Sequence, residues 1–359
     1  LRMSASRLEQ FNQCPFKHFV RYGLQAADKR EFTERAIDLG TFYHDALNAF
    51  LRHILDTGAD IGGMTEAEAD AAIDLVLPAV IASHNGGIFL HAPRLGATLF
   101  LIVNAVKSAA RAILRQMQAG AFTPLGAEVR FGEGQAFPPI TLTLADGATA
   151  YLSGVIDRVD AADTPDGRMM RIVDYKLGNR DFDFSGILHG LTLQLPLYLA
   201  AAMQGGDAAG MYYMPLRMEH VPEGEDVLAA AKEAFRLRGL TLSDVSVLLA
   251  SDKRMEGGSE ILKGVRRAPD GAYVGSLCTR GEMRQLIEQA VAVSEQTLDR
   301  MLSGEIAVSP AENACKYCDY RSVCRFDPTV RGNRTRSYPN LKQQEFFALI
   351  GGDAHAADD

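Results

Sequence analysis

Hydrophobic and polar positions follow two different periods along this chain, and the change of period divides it. Through residue 119 or so the spacing is helical. "SRLE" (Ser6 to Glu9) has capping-box spacing and predicts a helix opening there and running towards Tyr22. Leu39, Phe42, Ala46, Ala49 and Phe50 recur three and four apart, which predicts a second helix over roughly 36–56. Residues 65–119 read as two or three more helices, interrupted near Pro78 and Gly86-Gly87. Past "GAFTPLG" the period shortens to two. "AEVRF", "ITLTL", "AYLSGVIDRVD" and "MMRIVDYKL" predict strands, with Asp146-Gly147 and Asp166-Gly167 as hairpin turns. A helix ("LTLQLPLYLAAAMQ"), a strand ("AAGMYYMPL") and a helix over roughly 281–303 follow. The pattern predicts an α/β protein with a core inside a helical wrapper. Its expected parts are a helical N-terminal part (1–120), the core (121–305), a C-terminal segment (306–345) and a flexible tail (346–359).

Composition changes this picture in three places. The net charge of −8 argues against a protein that coats nucleic acid, but not against an enzyme acting on it, because local charge can reverse the sign at a site. One basic stretch exists: Arg321, Arg325, Arg331, Arg334, Arg336 and Lys342 stand against Asp319 and Asp327, with Tyr320, Phe326 and Tyr338 interleaved. It suits stacked bases and held phosphates, and it suits equally a solvated basic tail. Second, no signal sequence opens the chain and no uninterrupted apolar run reaches about 18 residues, so the expectation is a cytoplasmic protein without a membrane span. A start at Leu1, with Met3 behind it, suggests a segment of something longer. Third, the five cysteines are too few for a disulfide framework, and three of them cluster in "ACKYCDYRSVCRF", as metal ligands do in a reducing compartment.

Candidate chemistry sits in the strand region. "GVIDRVD" places Asp157, and "RIVDYKLG" places Asp174, at the ends of apolar runs. Residues i and i+2 of a strand share a face, so Asp174 and Lys176 stand side by side while Tyr175 turns into the core. If the two strands form a hairpin, Asp157 approaches Asp174 within reach of one metal ion. Carboxylates with waters are what Mg²⁺ selects, and an adjacent lysine can hold a phosphate oxygen or orient water. Alone, a D-x-K is most often a surface ion pair. His44 in "GTFYHDAL", and Gln194 with Tyr198 one helical turn apart in "LQLPLYL", are individually as unremarkable.

In combination these residues resemble the RecB-like branch of the PD-(D/E)xK nucleases. The family's G-x-x-x-H helix (Gly40 to His44), G-x-I-D strand (Gly154 to Asp157), D-Y-K strand (Asp174 to Lys176) and Q-x-x-x-Y helix (Gln194 to Tyr198) occur here in order. The resemblance implies a mixed central sheet flanked by helices. It also implies Mg²⁺ or Mn²⁺ held by His44, Asp157, Asp174 and the Tyr175 carbonyl, with Glu128 of "GAEVRF" as a further candidate. Lys176 would then be catalytic, with Asp157 and Asp174, while Gln194 and Tyr198 contact DNA or brace the site.

A subset of these nucleases carries a 4Fe–4S cluster on one N-terminal cysteine and a C-terminal C-x₂-C-x₅-C triplet. Here Cys315, Cys318 and Cys324 have that spacing, and Cys14 in "FNQCPF" matches the fourth position. Cys278 is the competitor, and spacing alone would suit zinc as well. Such a cluster, tying residue 14 to residues 315–324, closes a loop of about three hundred residues and implies a structural staple worth on the order of 5 kcal/mol by analogy with a disulfide.

"FRLRGLTLSDVSVLLASD" and "SGEIAVSPAENACKYCDYRSVCRFD" narrow the resemblance to the nuclease region of AddB-type subunits of helicase–nucleases that process double-strand breaks. That implies an AddA-type helicase–nuclease partner and single-stranded DNA from unwound duplex ends, cut as an exonuclease on the 5′-ended strand. The chain has no G-x-x-x-x-G-K-S/T loop, so ATP-driven movement is not expected of it. The rival expectation is a catalytically silent nuclease fold that holds DNA or assembles a larger machine.

Overall fold

The computed structural model describes residues 1–27, 36–91, 95–216, 226–255 and 257–353. Its centre is a six-stranded mixed sheet. Across it, in spatial order, run Leu277–Cys278, Arg238–Leu242, Asp207–Pro215, Gly167–Lys176, Gly154–Thr164 and Thr123–Phe131. The Gly154–Thr164 and Gly167–Lys176 strands form the expected antiparallel hairpin, with Arg158 opposite Val173 and Asp160 opposite Arg171. Gly167–Lys176 then pairs in parallel with Asp207–Pro215, and the connection carries the helix Gln194–Ala202. Parallel neighbours need such a crossover.

Helices cover both faces. On one side Ala36–Thr57, Glu66–Ser83 and Gly96–Ala119 bury Phe42, Leu47, Ile73, Val106 and Ile113 against Val173 and Tyr175 of the sheet. On the other, Ala5–Gln13, Gln194–Ala202 and Arg280–Leu302 bury Leu8, Leu197 and Leu286 against Met170 and Ile172. Period-two alternation along Gly167–Lys176 thus sends odd residues into one core and even residues into the other. By length and composition Gly96–Ala119 could cross a membrane; here its buried stripe (Ile102, Val106, Ala109, Ile113) belongs to the first core.

Several local expectations are corrected. The first helix is capped by Ser4, whose side chain accepts from Arg7 N, and not by Ser6; Glu9 points into the protein instead of closing a capping box. That helix ends at Cys14, whose extended backbone separates it from a short turn at Pro15–His18. Pro78 lies inside the continuous helix Glu66–Ser83, and the break falls at His84–Gly86. Residues 346–353, expected in a flexible tail, belong to the helix Gln343–Asp353, whose Phe346 is fully buried against Phe184. Residues 354–359 lie outside the described residues.

The C-terminal segment returns to the N-terminus. Phe16 N donates to Ala307 O (3.1 Å), Ala311 N to Gln13 O (2.7 Å), and the Tyr320 hydroxyl to Ala26 O (2.9 Å). Arg336 donates to Asn12 O and to Ser309 O, so this member of the basic stretch ties the two ends together.

Candidate active site

The even-numbered face of Gly167–Lys176 ends in Asp174 and Lys176, and helices from both layers converge there. Asp174 is 4% exposed, and its Oδ2 meets the Lys176 ammonium. Asp157 stands at the register position opposite Asp174, one residue before the Arg158–Val173 pair. Its Oδ2 accepts from Tyr175 N at 2.7 Å and its Oδ1 lies 3.2 Å from His44 Nδ1. His44 arrives from the opposite layer on Ala36–Thr57, and its Nε2 lies 3.1 Å from the Tyr175 carbonyl. The fold therefore brings His44, Asp157, Asp174, the Tyr175 carbonyl and Lys176 to one place.

The electrostatics of this group are tight. Burial first, then the charge of Asp157, push the Asp174 carboxyl up to about 6 against the pull of Lys176. Burial disfavours the His44 cation, but the hydrogen bond and charge of Asp157 outweigh it and raise its pKa. The Asp157 and Asp174 carboxylates and the Tyr175 carbonyl are oxygen donors of the kind a hard cation takes, with Asp174 Oδ2 engaged by the Lys176 ammonium. Oxygen donors with one imidazole fit Mg²⁺ or Mn²⁺. Among the described residues no three His, Cys, Asp or Glu side chains close on a single point; at the carboxylates Lys176 supplies the positive charge.

Glu128 stands opposite Asp157, between the pairs Ala127–Arg158 and Val129–Ile156. Its φ of +49° is left-handed, a conformation that costs a non-glycine residue about 1–2 kcal/mol. The twist has a visible consequence: Ala127 packs into one core and Val129 against the other, although regular alternation would put them on one face. The Glu128 carboxylate lies 3.6 Å from Arg52. Gly154 opens the Asp157 strand where the Phe131 ring presses on it; a Cβ there would stand 2.7 Å from the ring.

Gln194 and Tyr198 lie one turn apart on Gln194–Ala202. Gln194 Oε1 accepts from Lys176 Nζ at 3.5 Å. Tyr198 packs edge-on to Phe131 (5.7 Å), and burial with the charges of Asp174 and Asp157 raises its hydroxyl pKa.

Three residues at the site escaped sequence reasoning. Glu9 accepts from Leu193 N (2.6 Å), Gln194 N (3.0 Å) and Gln194 Nε2 (3.1 Å). Burial lifts its carboxyl to about 7, against those backbone donors and the charges of Arg180 and Lys176. Tyr213, beside Asp174 in register, offers its ring to Arg180 (5.0 Å) and Lys176 (5.9 Å). The S-x-x-E spacing around Glu9 pointed to a cap, and nothing local marked Arg180 or Tyr213.

A second constellation lies at the chain ends. Cys14, Cys315, Cys318 and Cys324 line one cavity together with Phe16 and Phe326, and all four are free thiols. Burial, then the neighbouring thiols, raise the pKa of Cys315. The fold thus brings these four cysteines to one cavity, although they do not close on a single point. Cys278 is elsewhere, buried in the second core, with its thiol pushed up to about 12 by burial.

Residues 2–325 match the PD-(D/E)XK nuclease superfamily. The chain is 33% identical to an ATP-dependent helicase/deoxyribonuclease subunit from Symbiobacterium thermophilum, over 98% of this chain and 32% of the relative. It is 30% identical to the protein of the same name from Clostridium acetobutylicum, over 98% and 32%, and 31% identical to that from Moorella thermoacetica, over 95% and 31%. The chain thus spans about a third of the length of these relatives. From a family match over nearly its whole length, this chain belongs to the PD-(D/E)XK nuclease superfamily.

Proposed function

We propose that this chain is a Mg²⁺- or Mn²⁺-dependent deoxyribonuclease that hydrolyses phosphodiester bonds in single-stranded DNA. Its setting would be the nuclease part of an AddB-type subunit, working with an AddA-type helicase–nuclease and cutting the 5′-ended strand exonucleolytically. The observation that carries the reading is the convergence of Asp157, Asp174 and Lys176 at one strand end, with His44 and the Tyr175 carbonyl beside them.

Asp157, Asp174, His44 and the Tyr175 carbonyl would hold the divalent ion, with Glu128 within the same group. A bound ion polarises the scissile phosphate and acidifies water. Lys176 donates from Nζ to a non-bridging phosphate oxygen, stabilising the charge that develops as water oxygen bonds to phosphorus and the ester P–O bond breaks. Gln194 braces Lys176, and Tyr198 positions the strand. Cys14, Cys315, Cys318 and Cys324 would hold a 4Fe–4S cluster as a structural cross-link between the two chain ends.

The test is degradation of end-labelled single-stranded DNA by protein purified without oxygen and free of host nucleases, comparing the parent with Asp174→Ala. Cutting by the parent alone supports the reading, and the label position gives polarity. Absence of cutting even with the partner subunit added would favour a DNA-holding module.

A further inference from the structure

The N-terminal helix reaches the active site through one side chain outside the family motif. Glu9 is 7% exposed, and its two oxygens have separate tasks. Oε1 accepts from the backbone N–H groups of Leu193 and Gln194, at the start of a helix whose N-terminus has no side-chain cap of its own. Oε2 accepts from the Gln194 side-chain amide. Three donors therefore converge on Glu9, which is the coordination of a carboxylate and not of a carboxylic acid.

A carboxylate has no hydrogen to give, so Gln194 must turn its NH₂ towards Glu9. Its amide oxygen is then left facing Lys176 Nζ, 3.5 Å away. Reversing that amide would set an N–H₂ group against an ammonium, donor against donor. Lys176 would lose the acceptor that flanks it opposite Asp174, while Tyr213 offers only its ring face.

We propose that Glu9 is a positioning residue of the nuclease: it fixes the polarity of the Gln194 amide so that an oxygen faces Lys176 and holds the ammonium at Asp174. The inference rests on the assignment of Asp174 and Lys176 to the reaction. It differs from a packing role because it depends on which atoms donate, and not on shape.

The experiment is a polarity swap in the full chain, assayed on single-stranded DNA with Mg²⁺ at pH 8. Glu9→Gln keeps the shape of the side chain and an oxygen for the backbone N–H groups. It presents an NH₂ to Gln194, however, and so forces the amide to reverse. The expected result is a fall in kcat of about 10- to 100-fold, with KM little changed. Gln194→Glu alone sets two carboxylates together and should also cut poorly. The double variant Glu9→Gln/Gln194→Glu restores an acceptor towards Lys176 and a donor–acceptor pair between the two side chains, at the parental charge. Its kcat should recover most of the loss. Melting temperatures of the same four proteins should show the same rescue.

A Glu9→Gln protein with parental kcat would overturn the proposal. So would a double variant no better than the worse single one. Failure of the parent itself to cut would count against the nuclease reading instead. The melting cycle then decides the Glu9–Gln194 polarity, with rescue supporting it and additive losses refuting it.

Discussion

Asp160→Asn should destabilise this protein far more than a change of one atom suggests. Asp160 lies between two arginines on the central hairpin, 3.0 Å from Arg158 Nε and 2.8 Å from Arg171 Nε, and all three side chains are fully enclosed. Arg158 has further support, since Arg158 Nη2 donates to Gln116 Oε1 at 2.8 Å. Arg171 has less: its guanidinium lies 4.4 Å from the Phe122 ring centroid, and its Nη atoms have no hydrogen-bond partner among the described residues. The ionisation of the two arginines reflects this inequality. For Arg158, burial is outweighed by Asp160 and Tyr175, and the pKa is raised; for Arg171, burial and the like charge of Arg158 prevail, and it is lowered. Asparagine would keep the shape and remove the shared charge, leaving two buried guanidiniums facing each other. Breaking a buried ion pair from one side costs about 3–5 kcal/mol, a large share of a typical total of about 5–15 kcal/mol. The melting temperature should fall by about 5 °C, with a matching drop in the urea midpoint. Asp163→Asn, at the exposed end of the same strand, should stay within about 0.5 kcal/mol of the parent. An Asp160→Asn protein as stable as that control would refute the reasoning.

Phe346→Ala should cost about 3–5 kcal/mol in a denaturant melt, because Phe346 is fully buried in the second core; a neutral outcome would mean the C-terminal helix does not dock. Glu9 also makes a pH prediction. Its folded pKa, about 7, is raised from 4.5, so the contribution it makes below pH 4.5 is lost as pH rises to about 7. That interval is worth about 3 kcal/mol, and the parent should lose stability on this scale as pH rises from about 4.5 to about 7 when melts are compared. Cys14→Ala and Cys318→Ala should lower stability and solubility before they touch cutting, and the parent purified without oxygen should carry iron and sulfide. Cysteine variants as stable as the parent but inactive would contradict a staple.

The hairpin that carries Asp157, Asp174 and Lys176 was legible because everything that fixes it is local: apolar alternation, an Asp-Gly turn and the i, i+2 rule. His44 and Gln194 were legible as motif members only, since their helices meet the strand end through tertiary packing. Glu9 was misread because S-x-x-E describes a cap equally well whether the glutamate turns back on its own helix or reaches across to another. Nothing local marked the burial of Arg158 and Arg171, which follows from helices covering both sheet faces and from their shared partner Asp160. The left-handed Glu128 has no sequence mark, as it is a glutamate where glycine would be the usual choice. The docked helix at 343–353 was hidden by the polar, glycine-bearing residues that follow "EFFALI".

Ligand and catalytic roles separate most directly in one paired measurement: Mn²⁺ binding by calorimetry and cutting of single-stranded DNA, on the same preparations of the parent, Asp174→Ala and Lys176→Ala. Lys176→Ala should bind Mn²⁺ and fail to cut, whereas Asp174→Ala should do neither. Undiminished Mn²⁺ affinity in Asp174→Ala, or cutting by Lys176→Ala at the parental rate, would contradict the account of this site.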